Sequence, residues 1–227
     1  MKLALFLLLF SGIAGASEIR FDPRIGAEVP LDLAFRESGA DTRLDSFFGR
    51  TPVVLELGYL ACINLCSTTR QGAMEALAGI GLAAGRDYTA LFVSVDPKDE
   101  AAPEQRRDGW HVLTGARSAA RLAAAVGFRY AYEEASGEYA HPAGFLLLSP
   151  EGRVVQYFGG VRFDARELRR ALLDAQAGRS PGLIEQVLLV CFHDPVSGRY
   201  SGAILDALRV GAALLLAALA FLAWRRR

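Results

Sequence analysis

Residues 52–70, PVVLELGYLACINLCSTTR, constrain the fold of this chain more than any other stretch. Residues 53–57 are mostly apolar and end at Gly58, which is the pattern of an interior β-strand closed by a turn. Cys62 and Cys66 follow where the next helix is predicted to begin. The sequence therefore predicts a buried strand, then a helix, with two thiols at their junction.

The spacing of the two cysteines indicates thiol or metal chemistry. Residues four apart share a face of a helix, so we expect both sulfurs to point the same way at its first turn. The positive end of the helix dipole lowers the pKa of a thiol placed there. Such a pair binds a soft metal or forms a disulfide, and the C-x-x-x-C spacing departs from the C-x-x-C of thioredoxin redox motifs. A purely structural disulfide, or two core cysteines, is the alternative.

The N-terminus has the pattern of a secretory signal peptide. Lys2 precedes an apolar run over residues 3–10, and the small residues 14–16 offer a cleavage site. An uncleaved anchor is the alternative. We expect export to an oxidising compartment, where cysteines can form disulfides.

The C-terminus carries the second membrane signal. Residues 210–224 have no charge, and the three arginines 225–227 favour a cytoplasmic C-terminus. A hydrophobic terminal helix docked on a partner is the alternative. We expect a single anchor in the inner membrane, with the body of the protein facing the periplasm.

The body alternates predicted strands and helices. We expect a strand over residues 88–95, a helix over 118–126 and a hairpin of strands 143–148 and 154–158. The helix that begins at the cysteines is predicted to end near Gly85. Further predictions are a short strand at 110–113, an edge strand at 128–132, and a last helix capped by Asp164 with Leu168, Leu172 and Leu173 facing inward. This order predicts an α/β fold, a thioredoxin-like sandwich with a central mixed sheet.

The chain contains few histidines: His111, His141 and His193. His141 precedes the hairpin, and in a thioredoxin-like arrangement that loop packs against the helix with the cysteines. Two thiolates and one imidazole suit Cu(I) and also accept Cu(II), whereas structural zinc usually takes a fourth protein ligand. On spacing alone, a histidine beside a proline such as His141 is more often a surface or turn residue. His111, beside a tryptophan, is interpreted as structural.

Three other residues have weaker claims to a site. Asp96 follows the second core strand at the carboxyl edge of the sheet, where ligands usually bind, but it is equally a turn cap before Pro97. Cys191 and His193 form either a second soft site or a buried, inert pair. Acidic and basic residues balance at 25 each, and no basic stripe is interleaved with aromatics, which argues against a nucleic-acid partner.

Taken together, the motifs resemble those of a known family. They are PVVLELGYLACINLCS, LFVSVDPKDE, LTGARSAARLAAAVGFRY, AHPAGFLLLSPEGRVVQYFGG and VLLVCFHDPVSGRYS, which together span residues 25–202. The sequence resembles the SCO/SenC family of copper-binding, thioredoxin-like assembly factors for cytochrome c oxidase, and most resembles its bacterial branch with a C-terminal membrane segment. Ser67, where many members have proline, and Pro142 depart from the common pattern.

The resemblance implies that Cys62, Cys66 and His141 are copper ligands, with Asp96 in the family's D-P motif near the site. It implies delivery of Cu(I) or Cu(II) to the copper-centre subunit of cytochrome c oxidase, or reduction of that centre's cysteines beforehand. A copper donor chaperone or thiol reductase would then be a further partner. The alternative class is a thiol–disulfide oxidoreductase or thiol peroxidase that uses Cys62 or Cys66 as nucleophile. A non-enzymatic metallochaperone is the first expectation.

The expected organisation follows from these points. It comprises a signal peptide (1–16), a thioredoxin-like copper-binding domain (17–180, with an N-terminal extension over 17–50), a C-terminal extension (181–202), a transmembrane helix (203–224) and a cytoplasmic tail (225–227).

Overall fold

The computed structural model describes residues 19–62, 65–99, 109–179 and 209–216. The strands are β1 (Arg20–Phe21), β2 (Ala34–Glu37), β3 (Ala40–Arg43), β4 (Val53–Gly58), β5 (Thr89–Ser94), β6 (Trp110–Leu113), β7 (Phe128–Arg129), β8 (Ala131–Glu133), β9 (Glu138–Ala140), β10 (Gly144–Leu148) and β11 (Val154–Gly159). The helices are α1 (Leu65–Ala78), α2 (Ala116–Ala125) and α3 (Ala165–Gln176), with a short 3-10 helix at Leu44–Phe47.

A mixed sheet of strand order β11-β10-β4-β5-β6 forms the centre of the fold. The strands β4, β5 and β6 run parallel, while β10 is antiparallel to both β4 and β11. The predicted strand at the cysteine motif is thus the middle strand of the sheet. This is the thioredoxin-like α/β sandwich with a central mixed sheet that the sequence predicts.

The strands bury both of their faces. Along β4, Val53, Leu55 and Leu57 contribute to one core cluster, together with α2 and the segment from Val29 to Phe48. Val54 contributes to the other cluster, with residues of α1 and α3. Because neighbouring strand residues point to opposite faces, a continuous apolar run is what a two-sided core requires.

The N-terminal extension contains regular structure that packs on the domain. The strand β1 pairs with β7, and β2 and β3 form a hairpin. The hydroxyl of Tyr157 on β11 donates a hydrogen bond to the carbonyl of Val126 (2.8 Å) and accepts one from the backbone N–H of Arg24 (2.9 Å). These bonds tie the extension and the end of α2 to the sheet.

Three predicted details are wrong. The helix α1 ends at Ala78 instead of near Gly85, since the chain turns at Gly79 and Gly81 has φ +69°. The predicted strand 128–132 is split between β7 and β8, which pair with β1 and β9 and not with the edge of the central sheet. Leu173 is 41% exposed, because the buried stripe of α3 is already formed by Leu168, Ala171, Leu172 and Ala175.

The predicted end segments fall largely outside the described residues. This holds for the signal peptide, the C-terminal extension and most of the predicted transmembrane helix, of which residues 209–216 are described as helical. Within the part of the chain that the structure describes, no helix has the length and apolar character needed to span a bilayer. The single C-terminal anchor stays a prediction.

Candidate thiol and metal site

The two cysteines flank the start of α1. Cys62 lies in the loop after β4, is half-buried, and its sulfur is part of a disulfide. Cys66 is the second residue of α1, and its side chain lies outside the described part of the structure. Since Cys62 precedes the helix, the expectation that both sulfurs lie on its first turn is wrong for Cys62. Only Cys66 lies in the first turn of α1.

The imidazole of His141 is oriented by the backbone. His141 follows β9, and its Nδ1 lies 3.0 Å from the carbonyl oxygen of Pro142. A carbonyl can only accept, so Nδ1 carries the proton and Nε2 holds the lone pair that a metal needs. Burial lowers the pKa of His141 below its usual range, although the bond to Pro142 opposes this change. The structure therefore favours the neutral, ligating form of the ring.

Close packing places His141 at the end of β4. Its ring contacts those of Tyr59 (centroids 5.9 Å apart) and Phe128 (5.8 Å). A Cβ on Gly58 would lie 3.6 Å from Cε1 of His141 and 3.3 Å from Cε2 of Phe92. The ring thus lies over Gly58, the residue from which the loop to Cys62 departs.

Of the two aspartates after β5, Asp99 and not Asp96 contacts the cysteine loop. Asp96 caps its own turn by accepting a hydrogen bond from the backbone N–H of Lys98 (2.8 Å). Asp99 Oδ2 accepts from the backbone N–H of Leu60 (2.5 Å) and from the hydroxyl of Ser94 (2.6 Å). Sequence reasoning missed Asp99, although a second carboxylate three residues after Asp96 is a visible signal.

Phenols and carboxylates border the site. The rings of Tyr59 and Tyr139 are 6.0 Å apart, and burial raises the pKa of both phenols. Nearby carboxylates raise them further, Glu138 foremost for Tyr59 and Asp96 for Tyr139. Both hydroxyls therefore stay protonated at neutral pH, and the border of the site is acidic and aromatic.

Of the other sequence candidates, only His111 lies among the residues that the structure describes, and it makes contacts of its own. Within the described residues, no three His, Cys, Asp or Glu side chains are grouped to hold a metal ion. The Nδ1 of His111 lies 2.7 Å from Glu37 Oε1, and its ring contacts Phe47, which fits the structural role expected for it. Cys191 and His193 lie outside the described residues, so the proposed second soft site stays a prediction.

Comparison with known proteins gives one family and several similar structures. The sequence model of the SCO1/SenC family matches residues 34–175. A protein from Aquifex aeolicus VF5, provisionally assigned to electron transfer, is 25% identical over 68% of this chain and 95% of its own, with a TM-score of 0.62. No curated protein matches the chain.

Two more distant structures share the fold. The copper-bound ScoI of Arabidopsis thaliana is 20% identical, with a TM-score of 0.54, over 68% of this chain and 99% of its own. A SCO1/SenC family lipoprotein from Bacillus anthracis str. Ames is 15% identical, with a TM-score of 0.52, over 69% and 99% of the two chains.

Proposed function

The chain belongs to the SCO1/SenC family, and from this membership we propose that it is a copper chaperone for the assembly of cytochrome c oxidase. Its ligands are the thiolates of Cys62 and Cys66 and the imidazole of His141. The copper ion is cargo, which the protein passes to the binuclear copper centre of the oxidase by ligand exchange.

The orientation of His141 is the observation that carries this proposal. A neutral imidazole with Nδ1 bonded to a carbonyl presents Nε2 as a ligand, as metal-binding histidines commonly do. The ring lies over the strand end from which the Cys62 loop departs. Two thiolates and one imidazole together form a soft ligand set, which suits Cu(I) and also accepts Cu(II). The copper bound to Arabidopsis ScoI supports the choice of metal.

The disulfide at Cys62 favours a second candidate function. We propose Cys66 as its partner, so the site must be reduced before it can hold copper. A disulfide at the entry to a helix can also exchange with thiols of other proteins. Thiol–disulfide oxidoreductase activity on cysteines of the oxidase or of other exported proteins is therefore the alternative.

The location is also part of the proposal. A cleaved signal peptide and a C-terminal anchor would hold the domain on the periplasmic side of the inner membrane. Tethering would raise its effective concentration near a membrane-bound acceptor, the copper-centre subunit. A copper donor chaperone or a thiol reductase would act before it.

Copper binding to the reduced, purified full chain tests the proposed ligands. We expect about one copper ion per chain and thiolate-to-Cu(II) charge-transfer bands. Cys62→Ala or Cys66→Ala should abolish tight binding, and His141→Ala should weaken it, with Cu(II) affected more than Cu(I). His111→Ala is the matched control and should bind like the wild type.

Two outcomes would contradict the chaperone. If His141→Ala bound both oxidation states like the wild type, the three-ligand site would be wrong. If the reduced chain retained no copper but exchanged disulfides rapidly with a test thiol, the oxidoreductase would be the better reading.

A further inference from the structure

A glutamate interrupts a strand that is buried along its whole length. Glu56 lies in β4, where every residue is buried, and its side chain is 3% exposed. A buried carboxylate is costly unless it is paired and hydrogen-bonded. Yet Glu56 Oε2 accepts no hydrogen bond from any residue that the structure describes.

The partner of Glu56 is equally under-satisfied. The Nε of Arg70 on α1 lies 3.8 Å from Glu56 Oε2, too far for a hydrogen bond, and it is itself buried without an acceptor in the described part of the chain. The guanidinium carbon lies 4.1 Å from the centre of the Phe92 ring. A buried ion pair that serves stability alone needs good geometry and further hydrogen bonds, and among the described residues neither Glu56 Oε2 nor Arg70 Nε has a hydrogen bond.

Among the residues that the structure describes, the surroundings of Glu56 offer a single charged group. Arg70 is the one charged group that acts on it among the described residues, from α1. The adjacent strand β5 contributes Phe92, the register partner of Glu56, and β10 contributes Phe145 to the same apolar cluster. The next residue on this face of β4 is Gly58, beneath the neutral ring of His141.

The pair lies on β4 and α1, the two elements that flank the cysteine loop. Arg70 is one helical turn after Cys66, so both positions share a face of α1. Glu56 is one strand repeat before Gly58, where the loop to Cys62 begins. Phe92 joins the two sides, because its ring stacks on Arg70 and approaches Gly58.

The carboxyl group can change its protonation near neutral pH. Burial raises the pKa of Glu56 to about 7, against the opposing charge of Arg70. A thiolate formed when the disulfide is reduced would raise the pKa of Glu56 further, because like charges disfavour ionisation.

We propose that Glu56 is the proton-exchanging group of the thiol site, taking up one proton when the disulfide of Cys62 is reduced. A dithiol reductant supplies two electrons and two protons and becomes a disulfide itself. The S–S bond of the protein breaks and forms one thiol and one thiolate. One proton goes to the thiol sulfur, and the other converts the Glu56 carboxylate to the acid. Oxidation returns both protons.

This inference deepens the proposed function, since it rests on Cys62 belonging to the active thiol pair. Its test uses metal-free protein, so that failure to bind copper and failure of proton coupling are separate results. The role assigned to Glu56 is positioning of a proton, not contact with substrate.

Infrared difference spectra of the full chain, oxidised against reduced with dithiothreitol, test the proposal directly. Reduction should produce the carbonyl band of a protonated carboxylic acid, strongest just above the pKa of about 7. Glu56→Gln should remove this band. Glu167→Gln, which alters a glutamate of α3 that is hydrogen-bonded to Gln156, is the matched control and should keep it.

The equilibrium with dithiothreitol gives a second readout. Each proton taken up changes the equilibrium constant about tenfold per pH unit. Just above neutral pH, the pH dependence of this equilibrium constant should therefore differ by one proton between the wild type and Glu56→Gln. Arg70→Met, which retains Glu56, should shift this region to higher pH, because Arg70 lowers the pKa of Glu56.

Three results would overturn the proposal. They are a wild-type spectrum without a carboxylic acid band, a band that persists in Glu56→Gln, and an Arg70→Met chain whose pH dependence matches that of the wild type. The wild-type and Arg70→Met measurements decide the question even if Glu56→Gln does not fold.

Discussion

Gly58 sets how closely His141 can approach the strand that leads to Cys62. It ends β4 and has no side chain between the ring of His141 and that of Phe92. A Cβ there would press on Phe92, at 3.3 Å, and would lie in ordinary contact with His141, at 3.6 Å. A position that binds no metal therefore helps to determine where a ligand lies.

At this position we predict that Gly58→Ala weakens copper binding more than it weakens the fold. The added methyl should displace Phe92 by a few tenths of an ångström and fill the space beneath the imidazole, at a cost in unfolding free energy of roughly 1 kcal/mol. Copper affinity by competition with a chelator, together with denaturant unfolding, measures the two effects.

Gly79→Ala is the control for Gly58→Ala, because its new Cβ would come no closer than 3.4 Å to any other atom. It should leave copper affinity unchanged. If Gly58→Ala retained wild-type affinity, the contact between Gly58 and His141 would have no part in shaping the site.

At the residue scale, the sequence identifies which residues can carry chemistry better than it identifies the contacts that they make. Cys62 can be selected by its spacing from Cys66, whereas His141 can be selected only through the thioredoxin-like order of elements and the family resemblance. Asp96 and Asp99 follow the same strand, and only the path of the folded chain shows that Asp99 reaches Leu60. Glu56 is visible as a charge within an apolar strand, but the lack of a hydrogen bond to its Oε2 among the described residues depends on where Arg70 lies.

At the scale of elements, the segment after β5 supports the loop after β4. Asp99 accepts two hydrogen bonds, one from the backbone of that loop and one from Ser94 at the end of β5. A charged acceptor makes stronger bonds than a neutral one. The loop that carries Cys62 is thereby fixed to the carboxyl edge of the sheet.

We predict that Asp99→Ala loosens the Cys62 loop. Loss of the carboxylate leaves the N–H of Leu60 and the hydroxyl of Ser94 without this acceptor, which should cost roughly 1–3 kcal/mol. Hydrogen exchange at the Leu60 amide should quicken, and copper affinity should fall. Asp96→Ala is the matched comparison, and it should change both quantities less, because Asp96 caps only its own turn. Equal effects of the two variants would argue that the hydrogen bonds of Asp99 do not hold the Cys62 loop in place.

The periodicity of apolar residues predicts helices and strands well where one face, or every residue, is buried. It predicts the ends of these elements poorly. The central strands and the Asp164 cap of α3 are confirmed, the latter by hydrogen bonds from the backbone N–H groups of Arg166 and Glu167. The end of α1 is missed because Ile80 is buried in the same apolar cluster although it lies beyond the helix. Burial of a residue does not require that the helix continue to it.

For the whole molecule, Glu56 and His141 give stability opposite pH dependences. The pKa of Glu56, about 7, exceeds the 4.5 of an ordinary glutamate, so the folded chain binds more protons between these values. Its contribution to stability is complete below pH 4.5 and is lost as pH rises through 7. The pKa of His141 lies below 6.5, so its contribution instead grows as pH rises towards 6.5.

We therefore predict that Glu56→Gln makes the oxidised, metal-free full chain less sensitive to rising pH. The free energy of unfolding of the wild type, relative to this variant, should fall by about 3 kcal/mol between pH ~4.5 and ~7.5. Urea unfolding at intervals across this range measures the difference. Asp87→Asn is the control, since the pKa of Asp87, about 2, places its effect at more acidic pH. A constant difference between wild type and Glu56→Gln across the range would mean that the carboxyl does not titrate there in the folded protein. The proton coupling proposed for the thiol site would then lose its physical basis.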